Sequence, residues 1–252
     1  MLHRNLEAAK IRCNDTVRYL IVFVGVLLLA ACGGPAVQKT SHRVHYSWLQ
    51  SSHPRLPKKV VLLPVSIPVL RVRRGPIIDQ LESRSKRVSA LISRRLFETV
   101  RRGGQFKLVK LPGLSRQDKK IVKNHLVLYD LVSRNAVNYT TGRRQVAWHP
   151  KLLHFDYSIG NGLRFLIKKT GARAALIVTG AEALIEPGIS RIRSKTFLII
   201  GLVDLSSGAL LWMNYVLDSK KPLNHYGEIS YLIDDLLRSY PGISSYRTAV
   251  KK

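Results

Sequence analysis

The sequence predicts a single α/β (α+β) domain: a mixed sheet of about five strands flanked by helices, with a C-terminal β-hairpin and helix. Three observations carry this. Val60-Val61-Leu62-Leu63-Pro64-Val65 and the stretch 172–180 are short apolar runs, the pattern of strands covered on both faces. Stripes of apolar residues at three- and four-residue steps alternate with them, as in helices with one buried face. Near the end, the segments 195–205 and 209–217 flank Ser206-Ser207-Gly208, where Gly208 supplies the positive φ of a tight hairpin.

Taken in order, Lys58 to Val72 holds the first strand, which Pro64 and Pro68 end or bend. Ile78 to Arg101 reads as a helix, with Ile78, Leu81, Ser85, Val88, Leu91, Ile92, Leu96 and Val100 inward and Gly103-Gly104 as its stop. Phe106 to Val109 alternates as a strand. Ser115 caps a second helix that runs to about Ser133, with Ile121, Val122, His125, Leu126, Tyr129 and Val132 inward. Residues 134–156 read as a loop with a short strand near Val146-Ala147-Trp148. A short helix follows from Ile159 to Lys169, closed by Gly171 in the left-handed conformation. The central strand 172–180, a turn at Pro187-Gly188 and the hairpin come next. An amphipathic helix, Glu228 to Tyr240, precedes a basic tail, 242–252.

The first 31 residues have another character. A polar stretch with Arg4, Lys10, Arg12 and Arg18 precedes an apolar core from Tyr19 to Leu29 and small residues, the layout of a secretory signal peptide. The core is shorter than the roughly 20 apolar residues of a transmembrane helix. Leu29-Ala30-Ala31-Cys32 resembles the lipobox of bacterial lipoproteins. That resemblance implies cleavage between Ala31 and Cys32, lipid on the Cys32 thiol and acylation of the new amino terminus. Gly33 rather than Asp after the cysteine implies the periplasmic face of the outer membrane. Residues 32–57, opened by Gly33, Gly34 and Pro35, then read as a flexible tether.

The formal net charge is +27, and loss of the leader with its four basic and two acidic residues leaves +25 on 221 residues. Charge of this size attracts polyanions and says nothing about fold. Outside the cytoplasm those are envelope polymers, phospholipid head groups and acidic proteins, not nucleic acid. The two cysteines are Cys13 and Cys32, so beyond the lipid site no thiol remains for a disulfide or a metal.

Strand, helix, strand, helix, helix, strand, hairpin, helix: this order over 58–241 resembles the amino-terminal domain of TolB and the related fold of CsgG-type and penicillin-binding-protein-activator lipoproteins. The resemblance rests on 60–65, on 172–180, and on Leu202-Val203-Asp204-Leu205-Ser206-Ser207-Gly208-Ala209-Leu210-Leu211-Trp212, where Asp204, Gly208 and Trp212 match a structural turn. Phe155-Asp156-Tyr157-Ser158-Ile159-Gly160 further resembles a group of uncharacterised proteobacterial lipoproteins. No pair of ten-residue alternating segments offers a membrane-spanning hairpin, so a pore is not expected.

Chemistry is sparse. No nucleophile elbow, phosphate-binding glycine loop or His-Glu-x-x-His stands in the chain. His149, His154 and Asp156 form the only cluster that suits a hydrolase; Glu182 and Glu186 are a possible carboxylate pair, and Asp234 and Asp235 lie on a helix surface. No catalytic residue, metal ligand or cofactor is expected. The expected function is a non-catalytic docking or assembly module of the cell envelope, held to the bilayer by Cys32. Binding of lipopolysaccharide or peptidoglycan is the alternative. The candidate docking face is Arg84, Lys86, Arg87, Arg94 and Arg95 on the first helix, with the sheet edge beside it.

Overall fold

One long strand organises the sheet. In the computed structural model, which describes residues 41–44, 57–73, 78–104, 106–140, 155–186, 194–219, 222–223 and 225–240, strand β6 runs Ala174–Ile185. Along one edge it pairs antiparallel with β7, Ser194–Asp204. Its other edge is shared by two short parallel strands, β2 (Lys59–Leu62) and β3 (Val69–Val72). The prolines explain the split. Pro64 and Pro68 have no N–H to give a ladder, so residues 63–68 leave the sheet and return.

The excursion is tied down by the next helix. A short strand β4, Ile78–Gln80, pairs with β3 and leads into α1, Glu82–Gly103. Ser85 and Ser89 of α1 accept hydrogen bonds from the Val69 and Ile67 backbone N–H at 2.8 and 2.9 Å. Their hydroxyls donate in turn to the carbonyls of Leu81 and Ser85, one helical turn back. The expected helix start at Ile78 is therefore corrected by four residues: Ile78 and Asp79 are spent on β3, and Asp79 meets Arg73 at 2.9 Å. Gly104, at φ 67°, ends the helix as expected.

Strand β5, Lys107–Lys110, adds parallel to β2. Helix α2, Arg116–Thr140, opens on Ser115, whose hydroxyl accepts from the Asp118 N–H at 3.1 Å. It runs seven residues past the expected end, through Asn135 and Asn138, because Ala136 and Val137 continue its buried stripe. Residues 141–154, with the expected short strand at 146–148, lie outside the described residues, as do the turn at 187–188 and the basic tail. A 3-10 turn, Asn161–Leu163, and the brief helix α3, Phe165–Thr170, replace the single helix expected there; Gly171 closes α3 at φ 66°. Strand β8, Leu210–Ser219, completes the hairpin with β7, and α4, Tyr226–Arg238, follows.

Among the described residues the sheet is mixed and has eight strands in the order β1-β8-β7-β6-β2-β5, with β3 on β6 and β4 on β3. The five strands read from sequence are all in it, and the three short ones add to them. One of these, β1 (Ser41–Val44), falls inside the expected tether and pairs antiparallel with β8. These four residues correct that expectation. The physical reason is that β8 would otherwise be an open edge with unpaired backbone groups. The chain from Gln38 on packs as one compact unit.

Helices cover both faces of the sheet. Because side chains alternate along a strand, Val60 and Leu62 point to one layer and Val61 and Leu63 to the other. The first layer holds α1 and α4 with Trp212, Ile92, Leu96, Ile233 and Leu236. The second holds α2 and α3 with Tyr129, Ile159, Leu166, Ile199 and Met213. Gly201 on β7 makes room for the Tyr129 ring, since a β-carbon there would strike its hydroxyl. Burial, and then the neighbouring charge of Asp130, push the Tyr129 phenol well above its ordinary range.

Candidate functional site

The hairpin turn shows how the chain uses its few carboxylates. Oδ1 of Asp204 accepts hydrogen bonds from the backbone N–H and hydroxyl of Ser206, at 2.9 and 2.5 Å, and from those of Ser207, at 2.8 and 2.9 Å. Partial burial pushes this carboxyl up, but the four donors outweigh it and hold it below the usual carboxylate range. Gly208 follows at φ 77°, and its carbonyl accepts from the Ile159 N–H at 2.9 Å, joining the turn to the segment before α3. The role of Asp204 is thus structural. A carboxyl depressed on folding stabilises the fold above its unfolded value near pH 4 and ceases to as pH falls through the lower folded value. Asp204→Ala is expected to cost about 1–2 kcal/mol at pH 7, a difference that shrinks as the pH falls below the ordinary carboxylate value near 4 when urea unfolding is compared with the parent.

The other acidic candidates are also structural. Glu182 is fully buried on β6; its Oε1 accepts from the Leu223 N–H at 2.8 Å and meets Arg84 at 3.3 Å. Glu186 meets Arg73 at 3.6 Å. Four residues apart on an extended chain, the two stand roughly 13 Å from each other, too far to act as a pair. Asp234, exposed, holds Arg95 and Thr99, whereas Asp235 is buried and meets Arg238 at 2.9 Å, a correction to its expected surface position. Asp156 is exposed; His149 and His154 lie outside the described residues. Among the described residues no three His, Cys, Asp or Glu side chains could hold a metal ion, and no helix is long and apolar enough to cross a membrane. Ala31 and Cys32 lie outside the described residues.

The expected basic face of α1 is largely neutralised. Arg95 is buried, meeting Asp234 at 2.5 Å and Glu98 at 3.7 Å. Burial acts against its charge, but Asp234 and Tyr226 more than offset this and hold its guanidinium protonated. Arg94 meets Glu98 at 3.0 Å and lies over the Tyr226 ring at 5.8 Å, and Arg84 is spent on Glu182. The reason is helix packing. Arg95 stands beside Ile92 and Leu96 at the edge of the apolar stripe, and α4 covers that edge and places Asp234 against it. Of the five expected residues, Lys86 and Arg87 are exposed on a face without such a partner in the pairs described.

A denser set of cations gathers where β2, β5 and β6 begin. Lys59 and Lys107 are cross-strand neighbours where β2 and β5 begin, and Arg173 immediately precedes β6, whose Ala174 pairs with Val60. Lys168 and Lys169 close α3, and the Lys59 ammonium lies against Gly171 just beyond. Lys169 also reaches Asp118 of α2 at 3.2 Å, which brings Arg116, Lys119, Lys120 and Lys123 of the first turns of α2 to the same end. All but Lys59 are exposed. Asp118 is the acidic residue of these segments, and the Ser115 hydroxyl and Lys169 hold it below its ordinary range. Sequence reading missed this end because it is assembled from five separate stretches. The doublets Lys119-Lys120 and Lys168-Lys169 were its visible trace.

No family model matches this chain, and no curated protein matches it. Among solved structures it is similar to the PelC dodecamer from Paraburkholderia phytofirmans in two crystal forms. One match has 13% identity and a TM-score of 0.35, covering 80% of this chain and 96% of that one. The other has 14% identity and a TM-score of 0.35, covering 79% and 95%. Likeness at this level carries no argument about function.

Proposed function

We propose that this protein is a non-catalytic docking module of the bacterial cell envelope, lipidated at Cys32, held at the periplasmic face of the outer membrane, and engaging an anionic partner through the basic end of its domain. The observation that carries the reading is that end itself. Exposed lysines and arginines from β5, α2, α3 and the residue before β6 gather there with the half-buried Lys59 of β2, and Lys169 meets the carboxylate of Asp118. Such a surface binds by charge and through many weak contacts, and it needs no reacting group. The lipobox resemblance supplies the address, and the +25 charge of the processed chain supplies the attraction.

The test is the ionic-strength dependence of binding to purified lipopolysaccharide and to phosphatidylglycerol. Exposed charges are screened over about 10 Å at 0.1 M salt, so binding should fall steeply between about 50 and about 300 mM. Binding that ignores salt, or none to either anion at low salt, would remove this reading.

A further inference from the structure

The outer face of α2 is not uniformly basic. Its first turns present Arg116, Lys120 and Lys123; one and two turns further on, Val127 and Leu131 are each 56% exposed and Leu128 is 39% exposed. Among the described residues these three are the exposed large aliphatic side chains; the other large exposed apolar residues are Tyr226 and Tyr231 of α4. At 100° per residue, Lys120, Lys123, Val127 and Leu131 lie within one narrow sector of the helix. The opposite side of α2, with Val122, Tyr129, Ala136 and Val137, is buried in the second core layer, so the outer sector faces away from the domain. Lys123 and Leu131 are eight residues apart, about 12 Å along the axis.

We propose that this face of α2 lies on an anionic phospholipid surface, with the cations on head-group phosphates and Val127, Leu128 and Leu131 at the acyl boundary. The proposal rests on the anion-docking reading and names its partner. Two features favour a bilayer over a protein. A lysine-rich stretch continuing into exposed aliphatic residues on one helix face is the design of an interfacial helix, which sits some 5–10 Å into the head-group region. Three side chains also fall far short of the roughly 800 Å² per partner that a stable protein interface covers. The geometry suits an acylated protein, because a single weak signal anchors only marginally and a second surface contact adds to it.

The test uses the chain from Gln38 on, which packs as a unit of its own and contains no cysteine. Lipid at Cys32 then plays no part. Leu131→Cys is labelled with a polarity-sensitive fluorophore and mixed with vesicles of phosphatidylcholine alone or with about one third phosphatidylglycerol, the charge that attracts polybasic segments. The expected result is a blue shift with the anionic vesicles only. In parallel, V127S/L128S/L131S is expected to weaken vesicle binding about tenfold while leaving binding to soluble lipopolysaccharide sugar phosphates unchanged. These are surface changes, and circular dichroism confirms folding in each variant. No blue shift, with sugar phosphates still bound, would overturn the membrane proposal and leave anion docking standing. Failure to bind either would remove both. If the triple-serine change instead abolished self-association in sedimentation and vesicles were ignored, α2 would be a contact between copies of this chain, and the proposal would be wrong.

Discussion

Trp212→Ala is expected to lower the stability of the domain by about 4 kcal/mol, the range found when a buried aromatic ring is truncated to alanine. Trp212 stands on β8 in the first core layer with no exposed surface. Its ring meets that of Tyr240 edge to face, with centroids 5.3 Å apart, and Tyr240 meets Phe106 in the same manner at 5.2 Å. Removing Trp212 leaves a large cavity and takes the end of the chain of rings away from Tyr240, just after α4. The loss corresponds to a fall of about 10 °C in melting temperature for a domain of this size. Trp212→Phe separates volume from chemistry. The indole N–H has no hydrogen-bond partner among the described residues, and an unpaired buried donor costs about 1–3 kcal/mol. Phenylalanine removes that cost and keeps most of the ring, so it should change stability by about 1 kcal/mol or less. A large loss in the phenylalanine form would show that the N–H is satisfied in solution.

Gly208→Ala is expected to cost about 3 kcal/mol, from two sources that a companion variant separates. The first is backbone strain: φ is 77°, and a β-carbon in the left-handed region costs about 1–2 kcal/mol. The second is collision. A β-carbon on Gly208 would strike the carbonyl of Gly160, where Ser158 bridges Ala209 and the Leu210 N–H donates to the Tyr157 carbonyl at 2.8 Å. Gly104 has nearly the same φ, 67°, with nothing within 4 Å of a β-carbon. Gly104→Ala therefore carries the strain alone, about 1 kcal/mol. Equal losses from the two variants in urea unfolding would show that the turn yields without disturbing the segment before α3.

The behaviour of Gly208 explains how much of the fold was legible. Gly104, Gly171 and Gly208 each follow a periodic segment and end it, and all three have positive φ. Such signals are local, and the sequence displays them directly. The unbroken apolar run of Val60 to Leu63 likewise gave a strand with both faces covered. What was not legible depends on neighbours far along the chain. Residues 78–80 carry a helix-compatible pattern, yet they pair with β3. Residues 41–44 look like linker, yet β8 has an edge to fill.

The docking surface follows the same division. Arg84, Lys86, Arg87, Arg94 and Arg95 are close in sequence and so stood out as a basic face. The partners of Arg84 and Arg95, Glu182 and Asp234, are about 100 residues or more away and could not be seen. Conversely, Lys59, Lys107, Lys120, Lys168 and Arg173 are scattered and meet only through the parallel strands and the α2–α3 contact. Val127, Leu128 and Leu131 had a weak signal of their own, as apolar residues off the inward stripe of α2.

The central claim is that the basic end, not the α1 face, does the docking. Two variants of the chain from Gln38 on, changed by the same net charge, test it. One carries Lys120→Glu and Lys123→Glu; the other carries Lys86→Glu and Arg87→Glu. All four positions are exposed. Binding to phosphatidylglycerol vesicles at low salt should weaken about a hundredfold or more in the first variant, given about 1 kcal/mol per basic residue at an anionic surface. It should weaken less than about threefold in the second, where these charges do not face the lipid. Equal losses in the two would show that net charge alone governs binding, and a larger loss in the second would return the docking surface to α1.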